Sequence, residues 1–228
     1  MKNALDLITV GGECLGALAE IGVTVEMITD FAYAKELTED MGKPGLTPKL
    51  SSDYNDFTEE SGFWLFMRED GEYSASVATR FDNVGREKMN EYMIRTMNRH
   101  YPQQRSETLL YFTEALPPNF HGRMAYIGEL FMRPGFRGSK QKLRYFMMLL
   151  QVTIATKWPI DWTYAVMRDR DVKLGFATNY GFSIQIPGVS RWAQPAPHGR
   201  GDAEWLVAVP ADHLSHIMAY YARSLESL

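Results

Sequence analysis

The chain has 228 residues, of which 45% are hydrophobic and 13% aromatic. That is enough apolar material for one domain with a sizeable core, and it excludes a disordered or fibrous protein. A single cysteine, Cys14, excludes both an internal disulfide and a CxxC zinc site. Because no stretch approaches the roughly 20 apolar residues that span a bilayer, we expect a cytoplasmic protein that contacts no membrane.

The formal net charge of −4 is unevenly spread along the chain. Residues 1–72 hold 15 acidic and 5 basic side chains, whereas residues 73–228 hold 13 acidic and 19 basic ones. Six bases and no acid lie between Leu130 and Lys157. The acidic first third argues against a nucleic-acid partner. The basic run is either a solvated helix face or a site that attracts one small anion to a helix N-terminus.

The first predicted elements are short. They are a helix over 14–20, a strand over 23–28, a helix over 30–41 and a loop over 43–55, which is rich in proline, glycine and serine. Residues 63–68 and 73–80 then read as two strands. The Glu-Asp-Gly-Glu sequence at 69–72 supplies an Asp-Gly turn between them, and this predicts an antiparallel hairpin.

The second half of the chain alternates helices and strands. Met89, Met93 and Met97 form one apolar stripe on a helix predicted over 84–99. The later elements are a strand or helix over 109–112, a central strand over 124–132 buried on both faces, a buried helix over 140–157, a strand over 161–167, a helix over 169–178, a loop over 187–201, a strand over 204–209 and a helix over 211–226. This order predicts an α+β (mixed α/β) domain with a mixed sheet, which spans residues 1–228.

The block from Ala125 to Phe182 carries a motif. It reads strand, Arg-Pro-Gly-Phe-Arg-Gly-Ser turn, helix, strand, helix and then Gly181-Phe182. It resembles the GNAT superfamily of acyl-CoA-dependent N-acyltransferases, whose fourth strand ends in a proline, an aromatic residue and Arg-Gly-x-Gly-x-Gly/Ala before a helix. The matching residues are Pro134, Phe136, Arg137 and Gly138. The resemblance covers about 63–209 and is less clear in the N-terminal part, residues 1–60.

The resemblance implies a GNAT-like fold, with a central, mixed, mostly antiparallel sheet flanked by helices. It also implies that acetyl-CoA or another acyl-CoA binds as co-substrate at the strand end and the turn, on Leu130, Phe131, Met132, Arg137, Gly138, Ser139, Lys140, Gln141 and Lys142. The physical logic is independent of the family. Successive N–H groups before a helix cradle an anion, and basic side chains add charge-assisted bonds to a diphosphate. No metal site is expected, because His213 and His216 lack a third ligand nearby.

The chain departs from the family pattern at several positions, among them the place near Arg170 where the family has an asparagine. Lys140 and Lys142 stand where the motif has small residues, and Ala177 stands where the family has the tyrosine that protonates the departing thiolate. Tyr180 is the nearby candidate for that general acid, with a packing role as the alternative. Glu129 is either a paired structural carboxylate or the general base that takes a proton from an amine.

The resemblance therefore implies transfer of an acyl group, acetyl in the first instance, from acyl-CoA to an amine of a small molecule or a protein. The long segment 83–123 would build the acceptor pocket. One alternative is a GNAT-fold protein without catalysis that binds an anionic ligand or a partner, which the two lysines and Ala177 favour. A further alternative is a synthase of long-chain N-acyl amino acids or acyl-homoserine lactones. A homodimer is a further expectation.

Overall fold

A mixed sheet with helices on both faces organises the chain, and the computed structural model describes residues 4–101 and 108–225 of it. The helices are α1 (Ala4–Glu20), α2 (Phe31–Asp40), α3 (Met89–His100), α4 (Lys140–Lys157), α5 (Asp169–Lys173), α6 (Phe176–Asn179) and α7 (Ala211–Leu225). The strands are β1 (Val23–Ile28), β2 (Gly62–Glu69), β3 (Glu72–Gly85), β4 (Leu109–Phe112), β5 (Gly122–Met132), β6 (Trp162–Arg168), β7 (Ile184–Pro187), β8 (Ser190–Trp192) and β9 (Glu204–Pro210).

Seven strands form the main sheet, in the order β1-β2-β3-β5-β6-β9-β7. Every neighbouring pair is antiparallel except β5 and β6, which run parallel. Strands β4 and β8 form a separate antiparallel pair. The prediction of a mixed, mostly antiparallel sheet flanked by helices is therefore confirmed, and so is the hairpin of β2 and β3.

The two faces of the main sheet pack against different elements. Helices α1, α4 and α7 cover the first, which we call the α4 face, and bury Cys14, Phe146 and Leu150 there. Helices α2 and α3, with strands β4 and β8, cover the opposite face, which we call the α3 face. The methionine stripe of α3 is buried on that second face, as its spacing predicts.

Several boundaries differ from those predicted. Helix α1 begins at Ala4 rather than near Cys14, because its glycines allow close packing: a Cβ on Gly11 would lie 3.2 Å from Val152 of α4. The helix predicted over 169–178 is split in two, since Gly175 adopts a left-handed φ of 81°. The loop predicted over 187–201 contains the short strand β8. Within the described part of the chain, no helix is long and apolar enough to cross a bilayer.

Candidate functional site

Strands β5 and β6 run side by side for only a short distance and then part. Residues Met124–Tyr126 pair with Trp162–Tyr164, and no later pair joins the two strands in the described structure. Strand β5 nevertheless pairs with β3 as far as Met132, and β6 pairs with β9 as far as Arg168. The facing edges of both strands therefore diverge while each strand keeps its outer partner. Such an edge offers backbone N–H and C=O groups to an extended ligand.

A β-bulge interrupts β5 where the gap opens. Gly128 pairs with Ala78 and Phe131 with Ser76, so β5 uses one more residue than β3 over this interval. Glu129 takes up the bulge with a left-handed φ of 59°, which is uncommon for a residue that carries a side chain. The extra residue turns Glu129 toward the α3 face.

The predicted site residues of β5 consequently divide between the two faces. Phe131 packs on the α3 face, whereas Leu130 and Met132 pack against the core of the α4 face. A ligand lying along β5 would therefore have this strand's side chains on both sides of the sheet.

Glu129 is buried and fully engaged. The backbone N–H of Thr47 donates to its Oε1 at 2.8 Å, and the Thr47 hydroxyl donates to the same oxygen in a short hydrogen bond. Lys43 Nζ lies 2.8 Å from Oε2, and the Glu129 side chain is 3% exposed. These contacts are those of a paired structural carboxylate, and they come from the loop that precedes β2. The general-base role stays a prediction.

The turn after β5 leads directly into α4. Residues Pro134–Phe136 form a single helical turn, and Nε of Arg137 donates to the carbonyl of Met132 at 3.1 Å. Gly138 has a φ of 119°, which strongly favours glycine. Ser139 caps α4, since its Oγ accepts the N–H of Lys142 at 3.1 Å. The other first N–H groups of a helix have no acceptor within it, and the helix dipole adds positive potential at that end.

Acids of the β2–β3 hairpin neutralise part of the basic run. Nζ of Lys142 lies 2.8 Å from both carboxylate oxygens of Glu69, and Nη1 of Arg133 lies 2.8 Å from Glu72. Lys140 lies 6.0 Å from the centre of the Phe176 ring. The positive charge at the turn is therefore smaller than the local sequence indicates, because the neutralising acids lie more than 60 positions earlier in the chain.

The remaining predicted residues lie around α4. Gln141 is exposed, and its Nε2 donates to the hydroxyl of Tyr145 at 3.0 Å. Tyr180 follows α6, is 4% exposed and stacks on Phe176 with ring centres 5.7 Å apart. Burial, with a smaller contribution from the charge of Asp171, raises the pKa of Tyr180 well above its ordinary value. Its phenol is therefore protonated at neutral pH, but its role as general acid is still only a prediction.

Sequence reasoning missed a cluster of buried charges on the α3 face. Nζ of Lys49 lies 3.2 Å from Asp82 and donates to the hydroxyl of Tyr92 at 3.1 Å. It also lies 5.1 Å from the centre of the Tyr126 ring. Arg80 forms a second ion pair with Asp82, at 2.8 Å. Burial lowers the pKa of Lys49 to about 8, although the Asp82 charge opposes that shift.

A second buried ion pair joins the loop before β9 to the same face. Nη1 of Arg200 lies 3.2 Å from Oε1 of Glu204, and its Nε donates to the Tyr101 hydroxyl at 3.1 Å. The other oxygen of Glu204 accepts from the Ser190 hydroxyl at 2.6 Å and from Nε1 of Trp192 at 3.0 Å. A signal was present in the sequence, since this loop lies between two tryptophans, but nothing in it singled out Arg200.

Neither a protein-family model nor a curated protein sequence matches the chain. Solved structures do match. Naa50 of Arabidopsis thaliana, bound to a bisubstrate analogue, has 11% identity and a TM-score of 0.44 over 82% of this chain and 98% of its own. An N-acetyltransferase of Staphylococcus aureus Mu50 has 8% identity and a TM-score of 0.47 over 83% and 98%. FeeM, an N-acyl amino acid synthase from uncultured soil microbes, has 9% identity and a TM-score of 0.43 over 84% of this chain and 92% of its own.

The chain resembles GNAT acetyltransferases in structure. The likeness concerns the fold alone. Among the described residues, no group of three or more histidine, cysteine, aspartate or glutamate side chains could hold a metal ion.

Proposed function

We propose that this chain transfers an acyl group from an acyl-CoA to an amine. One observation carries the proposal: the edge of β5 that no longer pairs with β6 is followed, after the turn over residues 133–139, by the N-terminus of α4. An extended amide-containing arm fits such an edge, and a diphosphate fits the helix N-terminus at its end. Coenzyme A joins these two groups in one molecule.

The residues at the turn divide the work of holding the diphosphate. The left-handed Gly138 and the first N–H groups of α4 would present backbone donors. Arg137 and Lys140 would add charge. The side chain of Lys142 pairs with Glu69, and its N–H donates to Ser139, so that we expect only a minor contribution from this residue. Gln141 would contribute its backbone N–H.

The acyl group would lie at the bulge, between the two faces of the sheet. In the proposed reaction the amine nitrogen bonds to the thioester carbon, the C–S bond breaks, the amine loses a proton and the thiolate gains one. A backbone N–H near Phe131 or Met132 would polarise the carbonyl. Glu129 on the α3 face is the proposed base, directly or through water, and Tyr180 on the α4 face is the proposed acid.

Calorimetric titration with acetyl-CoA, and with its desulfo analogue, tests the cofactor site. We expect micromolar binding that Arg137→Glu weakens at least tenfold, because the substitution places a negative charge beside a diphosphate. Lys157→Glu is the matched control, since it makes the same charge change in the same basic run, at the other end of α4 and about 25 Å from that helix's first residue. No binding at high micromolar acetyl-CoA would overturn the proposal.

A second candidate is a GNAT-fold protein that binds an anionic ligand without catalysis. The observation that favours it is Ala177, which is fully buried where the family has its tyrosine, while Tyr180 is packed into the core. A free-thiol assay with a panel of amines and acyl-CoAs of increasing chain length separates the two. Binding of acetyl-CoA with no thiol release from any pair would support the second candidate. Turnover that Glu129→Gln leaves unchanged would remove Glu129 as the base.

A further inference from the structure

The guanidinium group of Arg200 is buried, and one of its nitrogens is left without a partner. Nε donates to Tyr101 and Nη1 pairs with Glu204, whereas Nη2 is buried and, although Tyr126 lies beside the guanidinium group, has no acceptor in hydrogen-bond geometry within the described structure. The side chain is only 6% exposed. A buried donor without an acceptor is costly, and more so when it is charged, so that such a group normally has a ligand or a water molecule.

In the described structure, the charge cluster on the α3 face joins four buried or largely buried cations to three carboxylates. The cations of this cluster, none more than 19% exposed, are Lys43, Lys49, Arg80 and Arg200. Their carboxylate partners in the described structure are Glu129, Asp82 and Glu204, and Asp82 serves both Lys49 and Arg80. With a pKa of about 8, Lys49 remains largely protonated at pH 7. Because buried charges are normally paired, one further anion would balance the cluster.

The Arg200 side chain lies beside Tyr126, close to the place where β5 and β6 part. Tyr126 is the last residue of β5 that pairs with β6. Burial raises the pKa of Tyr126 to about 12, and the charge of Glu129 raises it further, whereas the charge of Arg200 and the close approach of its guanidinium group to the Tyr126 hydroxyl lower it. Arg200 and Glu129 are thus both near enough to act on one phenol. A protonated tyrosine hydroxyl is a hydrogen-bond donor for a carboxylate.

We propose that Arg200 Nη2, assisted by the Tyr126 hydroxyl, binds the carboxylate of the acceptor, so that the acceptor is an amino acid rather than a simple amine or a protein. The inference rests on the proposed function in naming this molecule an acceptor. Its geometry is self-consistent, because the carboxylate would lie at the root of the gap on the same face as Glu129. The α-amino group is then presented toward the bulge of β5.

The first test varies the acceptor. Leucine, leucinamide and 3-methylbutylamine share a side chain and an amine, but only leucine has a carboxylate. In the free-thiol assay we expect kcat/KM for leucine to exceed that for the other two at least tenfold, although leucinamide has the larger fraction of unprotonated amine. Equal rates for leucine and leucinamide would overturn the inference and leave the acyltransferase proposal intact.

The second test varies the protein and needs no turnover. We expect 4-methylpentanoate, a carboxylate without an amine, to raise the Tm of the wild-type chain and to leave that of Arg200→Gln unchanged. Arg191→Gln, an exposed change on the neighbouring strand β8, is the control that keeps the response. If Arg200→Gln does not fold, Arg200→Lys keeps the charge beside Glu204 and should weaken the response at least fivefold.

The two tests distinguish failure of the acyltransferase proposal from failure of the carboxylate site. If no amine releases thiol, the acyltransferase proposal is wrong, and the Tm response still decides the carboxylate site. If 4-methylpentanoate stabilises neither chain, or both chains equally, the assignment of the site to Arg200 is wrong.

Discussion

The two faces of the main sheet are built on different principles. The α4 face is closed by apolar side chains from α1, α4 and α7, whereas the α3 face buries ion pairs, tyrosines and a histidine. The first kind of packing depends on volume and is indifferent to pH. The second depends on the pairing of charges, since a buried charge without a partner is costly. The same strands therefore carry a volume-sensitive side and a charge-sensitive side.

Removing the shared anion should have the largest effect. Asp82→Asn leaves Lys49 and Arg80 as buried cations with no carboxylate, and we expect the free energy of unfolding to fall by about 4 kcal/mol. Urea denaturation measures this. Asp53→Asn, which breaks an exposed ion pair with Lys35, is the control and should change little. A loss no larger than the control's would show that the cluster is not held by its charges.

A cavity on the α4 face should cost somewhat less and be independent of pH. Leu150 is fully buried there, and Leu150→Ala should lower the free energy of unfolding by about 3 kcal/mol. The loss should be the same at pH 5 and pH 8, because no titratable group is removed. A loss that differs between these two pH values would show that packing on the α4 face also depends on pH.

His100 should give the α3 face a pH dependence of its own. Burial, together with the charges of Lys49 and Arg80, lowers its pKa to about 4, whereas an unfolded histidine titrates near 6.5. Between about pH 4 and pH 6.5, His100 is protonated in the unfolded chain but neutral in the folded chain. Stability is therefore fully present above about pH 6.5 and is lost as the pH falls toward 4. His100→Gln should flatten urea midpoints over that window, and an unchanged slope would contradict the assignment.

The smallest effect is expected at Lys142. Its charge is already paired with Glu69, so that Lys142→Met should leave the Kd for acetyl-CoA within twofold of the wild-type value. The free energy of unfolding should fall by about 1–2 kcal/mol, less than for Asp82→Asn, because the methionine keeps the apolar stem in place and only the single, largely buried charge of Glu69 loses its partner. A tenfold larger Kd in calorimetry would show that the Lys142 side chain contributes to binding of the diphosphate.

The sequence predicted the parts of the fold that local chemistry determines. The Asp-Gly turn of the β2–β3 hairpin and the spacing of Met89, Met93 and Met97 are short-range signals, and the structure confirms both. The strand–turn–helix from β5 to α4 was also readable, because proline, glycine and a capping serine mark it.

The rest depends on contacts between distant residues. The residues around Glu129 contain no signal for its left-handed backbone conformation, which glycine adopts far more readily than other residues. Its partners Lys43 and Thr47 lie more than 80 positions away. The charges of Lys49 and Arg200 likewise read as ordinary surface residues in polar loops. Tertiary packing alone brings them together, and periodicity carries no information about it.

The short contact between β5 and β6 has a mechanical consequence. Within the described residues, the strand pairing of Met124–Tyr126 with Trp162–Tyr164 joins a block of four strands to a block of three, and α4 is the connecting chain. The main sheet therefore consists of two blocks of strands that pair with each other over only three residues of each strand. A molecule that formed hydrogen bonds with both diverging edges would restrict the motion of the two blocks relative to each other. Amides of β6 and β9, remote from the turn, would then exchange with solvent more slowly once the gap is filled.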